Sequence, residues 1–413
     1  MSTMAQTATR ATQLELSLSE GLVIPGLTQL SVIVPVLNAP EALRRALEAL
    51  ATSTFREFEV IVVDDCSRDN AAAGIAGSFG NHYLRTAHRI GPAGARNFGV
   101  RHARAPVVVF ADADVEFRPD ALGLIAAQFE ADTQLAAVFG SYDDSPGCSD
   151  FLSQYKNLFH HYVHQVSGEG AVTFWAGCGA IRKDIFNELG GFDENRYQEP
   201  SIEDIELGFR LTQAGWKIRL LRELQVKHWK KWTLLNLLHS DIFRRATPWA
   251  RLILSTRQMP RDLNLSYSSR LSAVVVGVSV VLGAAIPLSA ARLFPRIGSG
   301  WLLASIGLAI LLLLILNRGL YGFFWRKHGW RFTAAALLMH WFYYLYCGVV
   351  FVCCAADHLF RRHPSAKSLH ARLADPERRF GEGVVVGGCV EGFAGLDTRG
   401  TAAPSRETKD VCI

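Results

Sequence analysis

Two carboxylates stand one residue apart shortly after an apolar run. Residues 107–110 are Val-Val-Val-Phe, and Asp112 and Asp114 follow with a single alanine between them. Such a run indicates a buried parallel strand, and ligands of open α/β sheets bind outside the carboxyl ends of the strands. Carboxylate oxygens suit Mg²⁺ or Mn²⁺, so the pair is a candidate metal site. The alternative is that both residues only close a turn.

A second acidic pair, Asp64 and Asp65, follows the strand predicted over residues 58–63. Parallel strands end at the same edge of a sheet, so we expect the two pairs to form one site. Asp65 could accept a hydrogen bond from a nucleobase N–H, while Pro35 and Val36 could line the base through their backbone. The alternative for Asp-Asp-x-Ser is a helix N-cap.

A basic, glycine-containing segment lies between the two acidic pairs. The predicted loop 89–94 and the helix expected after it carry Arg89, Gly94 and Arg96. These residues could approach a diphosphate. The alternative for Arg96 is an ion pair with an acidic neighbour.

Two more candidates lie late in this region. Ser201 and Asp204 have the spacing of a capping box, in which the acid binds the amide that opens a helix, and a helix is predicted from Ser201 to about Ala214. The cap is the simpler interpretation of Asp204 taken alone. His228 ends a predicted strand and is a candidate third metal ligand, with a structural histidine as the alternative.

The elements that must position these residues alternate between strand and helix. Apolar runs at 30–35, 58–63, 107–110 and 135–140 are separated by segments with helical spacing. This alternation predicts an α/β domain with a mainly parallel sheet and helices on both faces.

The last third of the chain has a different composition. Of the 413 residues, 49% are hydrophobic, the mean hydropathy is +0.15, and the apolar excess follows Arg270. Transmembrane helices are predicted at 271–291, 301–316 and 332–356; the first and third can span a hydrocarbon core of about 30 Å, whereas the second requires tilt or a thinned bilayer. Residues 236–270 are predicted as amphipathic helices on the bilayer surface, with packing on the α/β domain as the alternative.

The net charge, the cysteine spacing and the chain termini limit the expected partners, metal sites and location. The net charge of +5 and the absence of a basic stripe exclude nucleic acid as an expected partner, and the eight cysteines lack disulfide or zinc spacing. No signal peptide is evident, so the α/β domain is expected in the cytosol of a multi-pass or hairpin-anchored inner or plasma membrane protein. A third crossing would place Arg361 and Arg362 outside, against the positive-inside tendency. Residues 1–28 and 357–413 are predicted to be a flexible arm and a mobile tail.

Several of these motifs follow one another in an order that resembles a known family. The shared features are Pro35…Asn38, Asp64-Asp65-x-Ser67, Gly94-x-Arg96-Asn97, Asp112-x-Asp114, Gly190-Gly191-Phe192-Asp193 and Glu203-Asp204. In this order they resemble the inverting family 2 glycosyltransferases of the GT-A fold, over about residues 30–235 within a predicted domain 29–235. Ala39-Pro40 and Cys66 depart from the family pattern without removing a charge that the mechanism requires.

The resemblance implies a metal-assisted transfer of a sugar from a nucleotide-diphosphate donor to a membrane-associated acceptor, with Mg²⁺ or Mn²⁺ as cofactor. Asp65 would contact the base, Asp112 the ribose or metal, and Asp114 the metal at the diphosphate. Asp204 would be the catalytic base. The full predicted sets are Glu203 and Asp204 for catalysis; Pro35, Val36, Asn38, Asp65, Arg89, Gly94, Arg96 and Asp112 for the nucleotide sugar; and Asp112, Asp114 and His228 for the metal.

Two alternatives stay open. A processive polysaccharide synthase usually carries a Gln-x-x-Arg-Trp signature, which residues 241–249 match only loosely, so a single addition is favoured. A non-catalytic membrane scaffold with a decayed nucleotide-sugar fold would not need the retained carboxylates. The sugar, the base, the acceptor and the oligomeric state stay open.

Overall fold

The computed structural model describes residues 28–260, 263–290 and 299–360. The predicted N-terminal arm up to residue 27 and the predicted tail from residue 361 lie outside the described residues. The described chain folds into an α/β unit followed by a helical region.

The α/β unit is built on a nine-stranded mixed sheet with the order β3-β2-β1-β4-β8-β6-β9-β5, in which β7 also pairs with β9. The strands are β1 (Leu30–Val36), β2 (Phe58–Asp64), β3 (His82–Arg85), β4 (Val107–Ala111), β5 (Val115–Phe117), β6 (Leu135–Tyr142), β7 (Gly170–Ala171), β8 (Cys178–Arg182) and β9 (Lys217–His228). Strands β3, β2, β1 and β4 are parallel, as is the β6–β9 pair, whereas β8 is antiparallel to both of its neighbours. The predicted α/β class is confirmed.

Helices cover both faces of the sheet, as the alternation predicts. They are α1 (Pro40–Ala51), α2 (Ala71–Ser78), α3 (Gly91–His102), α4 (Ala121–Ala131), α5 (Phe151–Val166), α6 (Lys183–Glu188) and α7 (Glu203–Gln213). Apolar residues of α1, α2 and α4 pack on one face, and those of α3, α6 and α7 on the other. Strands β1 and β4 are therefore buried on both faces, because side chains such as Val32 and Ile33 alternate between two cores.

Some predicted elements differ from the structure. The segments expected as two short strands form one strand, β9, whose pairing with β6 shifts register between Phe139 and Ser141. Helix α5 was not predicted, because its residues mix aromatic side chains with histidine, lysine and asparagine. Helix α3 begins at Gly91, so the predicted loop 89–94 is wrong from Gly91 onward.

The helical region begins with three short consecutive pieces. These are α8 (Leu234–His239), a π-helix (Ser240–Ala246) and α9 (Thr247–Thr256). The apolar helices that follow are α10 (Tyr267–Ala290), α11 (Ser299–Leu316) and α12 (Arg318–Phe360), which breaks at Gly329, where φ is 75°. Among the described residues, α10 and α12 are long and apolar enough to cross a membrane by length and composition.

Candidate active site

A cavity of about 1100 Å³ opens at the carboxyl ends of β1, β2 and β4. Pro35, Val36 and Asp65 line one side of it, and Asp112 and Asp114 lie beside them. The prediction that distant strands bring their acidic residues to one sheet edge is confirmed. From this edge the cavity continues past α7 to the π-helix and then between α9, α10 and α12.

Arg96 ties two of the carboxylates together. Its Nη2 lies 2.6 Å from Asp112 Oδ1, and its Nη1 lies 2.8 Å from Glu203 Oε1. The guanidinium is buried, so this is the ion pair that the sequence left as an alternative for Arg96. Burial raises the pKa of Asp112, and the nearby Asp114 charge acts in the same direction, against the opposing effect of Arg96. Arg96 thus holds the end of β4 to the start of α7.

Asp114 faces His228 across the β5–β9 ladder, in which Val115 pairs with His228. Asp114 Oδ2 lies 3.7 Å from His228 Nε2, and the imidazole stacks on the Tyr142 ring at a centroid distance of 4.0 Å. Burial alone would raise the pKa of Asp114, but the facing His228 imidazole and the charge of Lys230 outweigh it, so the pKa lies below its usual range. Asp114 is therefore held as a carboxylate.

Asp112 and Asp114 fit a divalent cation that a substrate helps to bind. Their side chains are 33% and 30% exposed toward the cavity. Within the described ranges no three His, Cys, Asp or Glu side chains group as a self-sufficient metal site. Mg²⁺ is commonly held by one or two carboxylates with substrate phosphates, so two oxygen donors suit it. His228 as a metal ligand stays a prediction.

Asp204 lies at the start of α7 but does not form the capping box. The helix begins at Glu203 rather than Ser201, and its N-cap, Ile202, makes no side-chain cap. Asp204 instead accepts hydrogen bonds from the amides of Ile205, at 2.8 Å, and Ala176, at 3.0 Å. Burial and the neighbouring Glu203 charge raise the pKa of Asp204 to about 6. The group therefore titrates near neutral pH inside the cavity.

Glu203 has less freedom than Asp204. Its Oε1 binds Arg96, and its Oε2 accepts a hydrogen bond from the Ser201 amide at 2.9 Å. With both oxygens engaged and the side chain buried, Glu203 is arranged to hold the start of α7 in place.

Asp65 lines the cavity but is already hydrogen-bonded. Its Oδ1 accepts from the Ile90 amide at 2.7 Å and its Oδ2 from the Gly91 amide at 2.9 Å. Those two amides open α3, so the carboxylate fixes the loop that carries Arg89. Arg89 pairs with Glu199 at 2.9 Å on the cavity rim.

Two predicted nucleotide-sugar residues lie off the cavity wall. Asn38 has φ 52°, its amide donates to Ser67 Oγ, and its Oδ1 accepts from the Arg68 amide. It joins the loops after β1 and β2. Gly94 lies inside α3, where a Cβ would meet the Ile90 side chain at 3.1 Å, so its place in a phosphate loop is wrong.

Sequence reasoning missed several lining residues. Lys230 and Arg245 face the cavity, and no salt bridge is present for either among the described residues. Their clusters, Lys230-Lys231 and Arg244-Arg245, are visible in the sequence, but basic residues beside tryptophan also suit an anionic membrane surface, so the pattern alone does not assign them to a cavity. Arg245 stands in the π-helix, a conformation that is frequent at functional sites.

An aromatic wall beneath Asp114 was also missed. Tyr142, His160, His164 and Trp175 pack ring against ring, and all four line the cavity. Burial lowers the pKa of His164 to about 4, so its imidazole is neutral at pH 7. These residues come from β6, α5 and the chain before β8, and no sequence spacing joins them.

Sequence comparisons match this chain to glycosyltransferases. The family profile for glycosyl transferase family 2 matches residues 31–190. An uncharacterized glycosyltransferase of Haemophilus influenzae is 31% identical over 195 residues, which is 45% of this chain and 62% of that protein. The pre-mycofactocin glycosyltransferase of Mycobacterium tuberculosis is 29% identical over 204 residues, 47% of this chain and 41% of that protein. The chain thus spans less than two thirds of the length of both curated relatives.

Two solved structures are also similar. The mannosyltransferase PcManGT from Pyrobaculum calidifontis, in complex with GDP-Man and Mn²⁺, has a TM-score of 0.44 and 16% identity, covering 86% of this chain and 95% of that one. The Staphylococcus aureus TarS fragment 1–349 has a TM-score of 0.40 and 20% identity, covering 55% and 64%.

Proposed function

We propose that this chain, which carries a glycosyl transferase family 2 domain over residues 31–190, transfers a sugar, with inversion, from a nucleotide-diphosphate donor to a hydroxyl or phosphate of a lipid-linked acceptor. The observation that carries the proposal is Asp204, a carboxylate with a pKa of about 6 inside a cavity that joins the sheet edge to apolar helices. A base needs a pKa near the working pH, and Asp204 meets that condition.

The donor is assigned to the sheet edge. Pro35, Val36 and Asp65 line the space for the base, and Asp112 and Asp114 stand where the diphosphate would lie. A divalent cation held by these two carboxylates would stabilise the charge of the departing phosphate. The ammonium of Lys230 and the guanidinium of Arg245 supply fixed positive charge in the same cavity, which favours an anionic leaving group.

Asp204 is assigned as the general base. It takes the proton from the acceptor O–H while the acceptor oxygen bonds to the anomeric carbon. The bond from that carbon to the diphosphate oxygen breaks, and its electron pair leaves with the nucleoside diphosphate. One displacement from the opposite side inverts the anomeric carbon. Proton transfer to a positioned base contributes about 10²–10⁴-fold to the rate.

Glu203 receives a different role from the one expected. Since both of its oxygens are engaged, we assign it as a positioning residue that holds Asp204 through the first turn of α7. Its charge also helps to raise the pKa of Asp204. A Glu203→Gln variant should therefore shift the acidic limb of the rate profile downward rather than abolish it.

The acceptor is assigned to the other end of the cavity. Beyond Asp204 and the π-helix, the walls are formed by apolar residues of three helices, such as Ile253 of α9, Val274 of α10 and Phe351 of α12. A cavity with charged groups at one end and an apolar passage at the other suits a molecule with a polar head and a long hydrocarbon tail.

The test compares two aspartates that each accept a hydrogen bond from the following amide at the start of a helix. Asp204→Asn should lower single-turnover transfer from a radiolabelled nucleotide sugar to extracted lipids by about 10²–10⁴-fold, while calorimetric donor binding stays within a few fold. Asp184 is the matched control, because its Oδ1 also accepts from the following amide at 2.8 Å at the start of a helix, on an exposed surface. Asp184→Asn should transfer at the wild-type rate. Equal rates for Asp204→Asn and wild type would contradict the assignment.

The number of sugars on each product distinguishes single addition from the two alternatives, a processive synthase and a non-catalytic scaffold. One sugar per lipid supports single addition, a ladder of lengths indicates a processive synthase, and no transfer or donor hydrolysis with any nucleotide sugar indicates a scaffold.

A further inference from the structure

The part of α12 after its break, residues 330–360, packs first on α5 of the α/β unit and then on the π-helix and α9. Phe332 packs on Phe151 of α5 with ring centroids 5.2 Å apart, and His340 packs on Phe159 of the same helix at 5.0 Å. Further along, the Tyr346 hydroxyl donates to Asp241 Oδ2 at 2.7 Å.

The contacts continue to the last turns of α12. Cys354 Sγ lies 4.0 Å from the Thr247 carbonyl oxygen, which belongs to α9. From Phe332 to Cys354 the helix rises about 33 Å at about 1.5 Å per residue. Residues 330–360 thus follow α5, the π-helix and α9 in succession. A hydrocarbon core is about 30 Å thick, so a crossing along this length would carry the π-helix and α9, with Arg244, Arg245 and Arg251, into hydrocarbon.

The opposite face of residues 330–360 is apolar. Leu338, Val349, Val352 and Leu359 recur at helical spacing, and each is more than half exposed; Val349 and Val352 also line the cavity. Thr333, His340 and the Tyr346 hydroxyl lie on the buried side of this helix. A helix with a bare apolar face and a polar face held by protein is suited to lie in the plane of a bilayer surface.

The break in α12 carries the side chains typical of such a surface. Trp325 and Trp330 are both exposed and flank Gly329, with Arg326 and Arg331 next to them in sequence. Tryptophan is enriched at membrane interfaces, and cationic side chains are attracted to anionic headgroups. The charge and the aromatic residues thus indicate a lipid surface rather than a protein partner.

Helices α10 and α11 are arranged differently. Asn317, directly after α11, donates to Ser272 Oγ near the start of α10 at 2.9 Å, and Tyr344 of α12 donates to Asn317 Oδ1. The end of α11 therefore returns to the side from which α10 leaves. Contacts of this pair with α12 gather near Val275, Val276 and Leu313, and the exposed valines of α10 beyond them face outward.

We propose that α10 and α11 form a transmembrane hairpin and that residues 330–360 lie in the plane of the membrane, with their exposed apolar face in the headgroup region beneath the α/β unit. The chain then crosses the bilayer twice between the α/β unit and Phe360, so Phe360 lies on the same side as the α/β unit, which is expected in the cytosol. This arrangement removes the conflict with the positive-inside tendency that a third crossing creates. It does not depend on the transfer chemistry, since its test needs no substrate.

The first test places reporters at the C-terminus of the full chain in a bacterial host. A green fluorescent protein fusion should be fluorescent, and an alkaline phosphatase fusion should be inactive, because phosphatase matures only outside the cytosol. Phosphatase activity comparable to that of a fusion known to be exported would overturn the proposal.

The second test compares two exposed apolar side chains. Val281 of α10 is 69% exposed and Leu338 of α12 is 70% exposed. In a hairpin Val281 faces hydrocarbon, whereas in an in-plane helix Leu338 lies near headgroups, where a lysine reaches water. Val281→Lys should reduce the amount of membrane-inserted protein several-fold, and Leu338→Lys should leave it within twofold of wild type. An equal loss in both variants, or a loss with Leu338→Lys alone, would contradict the in-plane arrangement.

Discussion

Removal of the Arg96 guanidinium tests the ion-pair bridge that holds the two halves of the site together. Arg96→Met keeps most of the volume and leaves two carboxylates without their cation. The Glu203 side chain is only 6% exposed and counts as a fully buried charge, whereas Asp112, at 33%, is partly screened by water. Breaking one buried pair costs about 3–5 kcal/mol, and we expect a loss in that range, from the Glu203 side.

The assay is thermal unfolding of the detergent-solubilised protein. For a domain of this size, a loss of about 3–5 kcal/mol corresponds to a fall in Tm of roughly 6–20 °C. Arg101→Met in the same helix is the control, because Arg101 is exposed and should change Tm little. Combining Arg96→Met with Glu203→Gln should recover part of the loss, since the unpaired buried charge is gone. A Tm for Arg96→Met equal to that of Arg101→Met would refute the bridge.

Three further outcomes are expected. In calorimetry with Mn²⁺ present, Asp114→Asn should bind the donor at least tenfold more weakly than the wild type. With a chelator instead, the two proteins should differ little. A variant that binds as tightly as the wild type in both conditions would contradict the metal assignment. Asp241→Asn should lower Tm, because the buried Lys156 ammonium, which lies 2.6 Å from Asp241, loses its counter-charge. Adding Lys156→Met to this variant should restore the Tm. If the losses of the two substitutions simply add, the two residues do not act as a pair. Gly91→Ala should unfold or severely destabilise the chain, because φ is 77° and a Cβ would lie 1.9 Å from the Gln198 carbonyl oxygen; a Tm within 2 °C of wild type would show that the approach is not tight.

The parallel half of the sheet was predictable from sequence because its strands are buried on both faces. Runs such as 58–63 and 107–110 contain only residues that such a position tolerates, and the carboxylates after them stand out. The order of strands was less accessible. Strand β8 enters antiparallel between β4 and β6, and its five residues include a glycine and an arginine that give little strand signal.

The partners of the site residues could not be predicted for a different reason. Arg96 and Glu203 are 107 residues apart, and their ion pair exists because α3 and α7 pack on the same face of the sheet. Likewise, the spacing of Ser201 and Asp204 fits a cap, but the Ala176 amide, brought in from the chain before β8, binds Asp204 instead. Local spacing predicts which groups are available, and packing between distant elements decides what they bind.

The pH dependence of kcat/KM for sugar transfer tests the central claim most directly. Asp204 accepts a proton only as a carboxylate, and burial beside Glu203 raises its pKa to about 6. The account predicts a rate that rises tenfold per pH unit below about pH 6 and levels off above it, with this limb lost in Asp204→Asn. A wild-type rate that is constant from pH 4.5 to 7.5, or an unchanged limb in Asp204→Asn, would contradict Asp204 as the base.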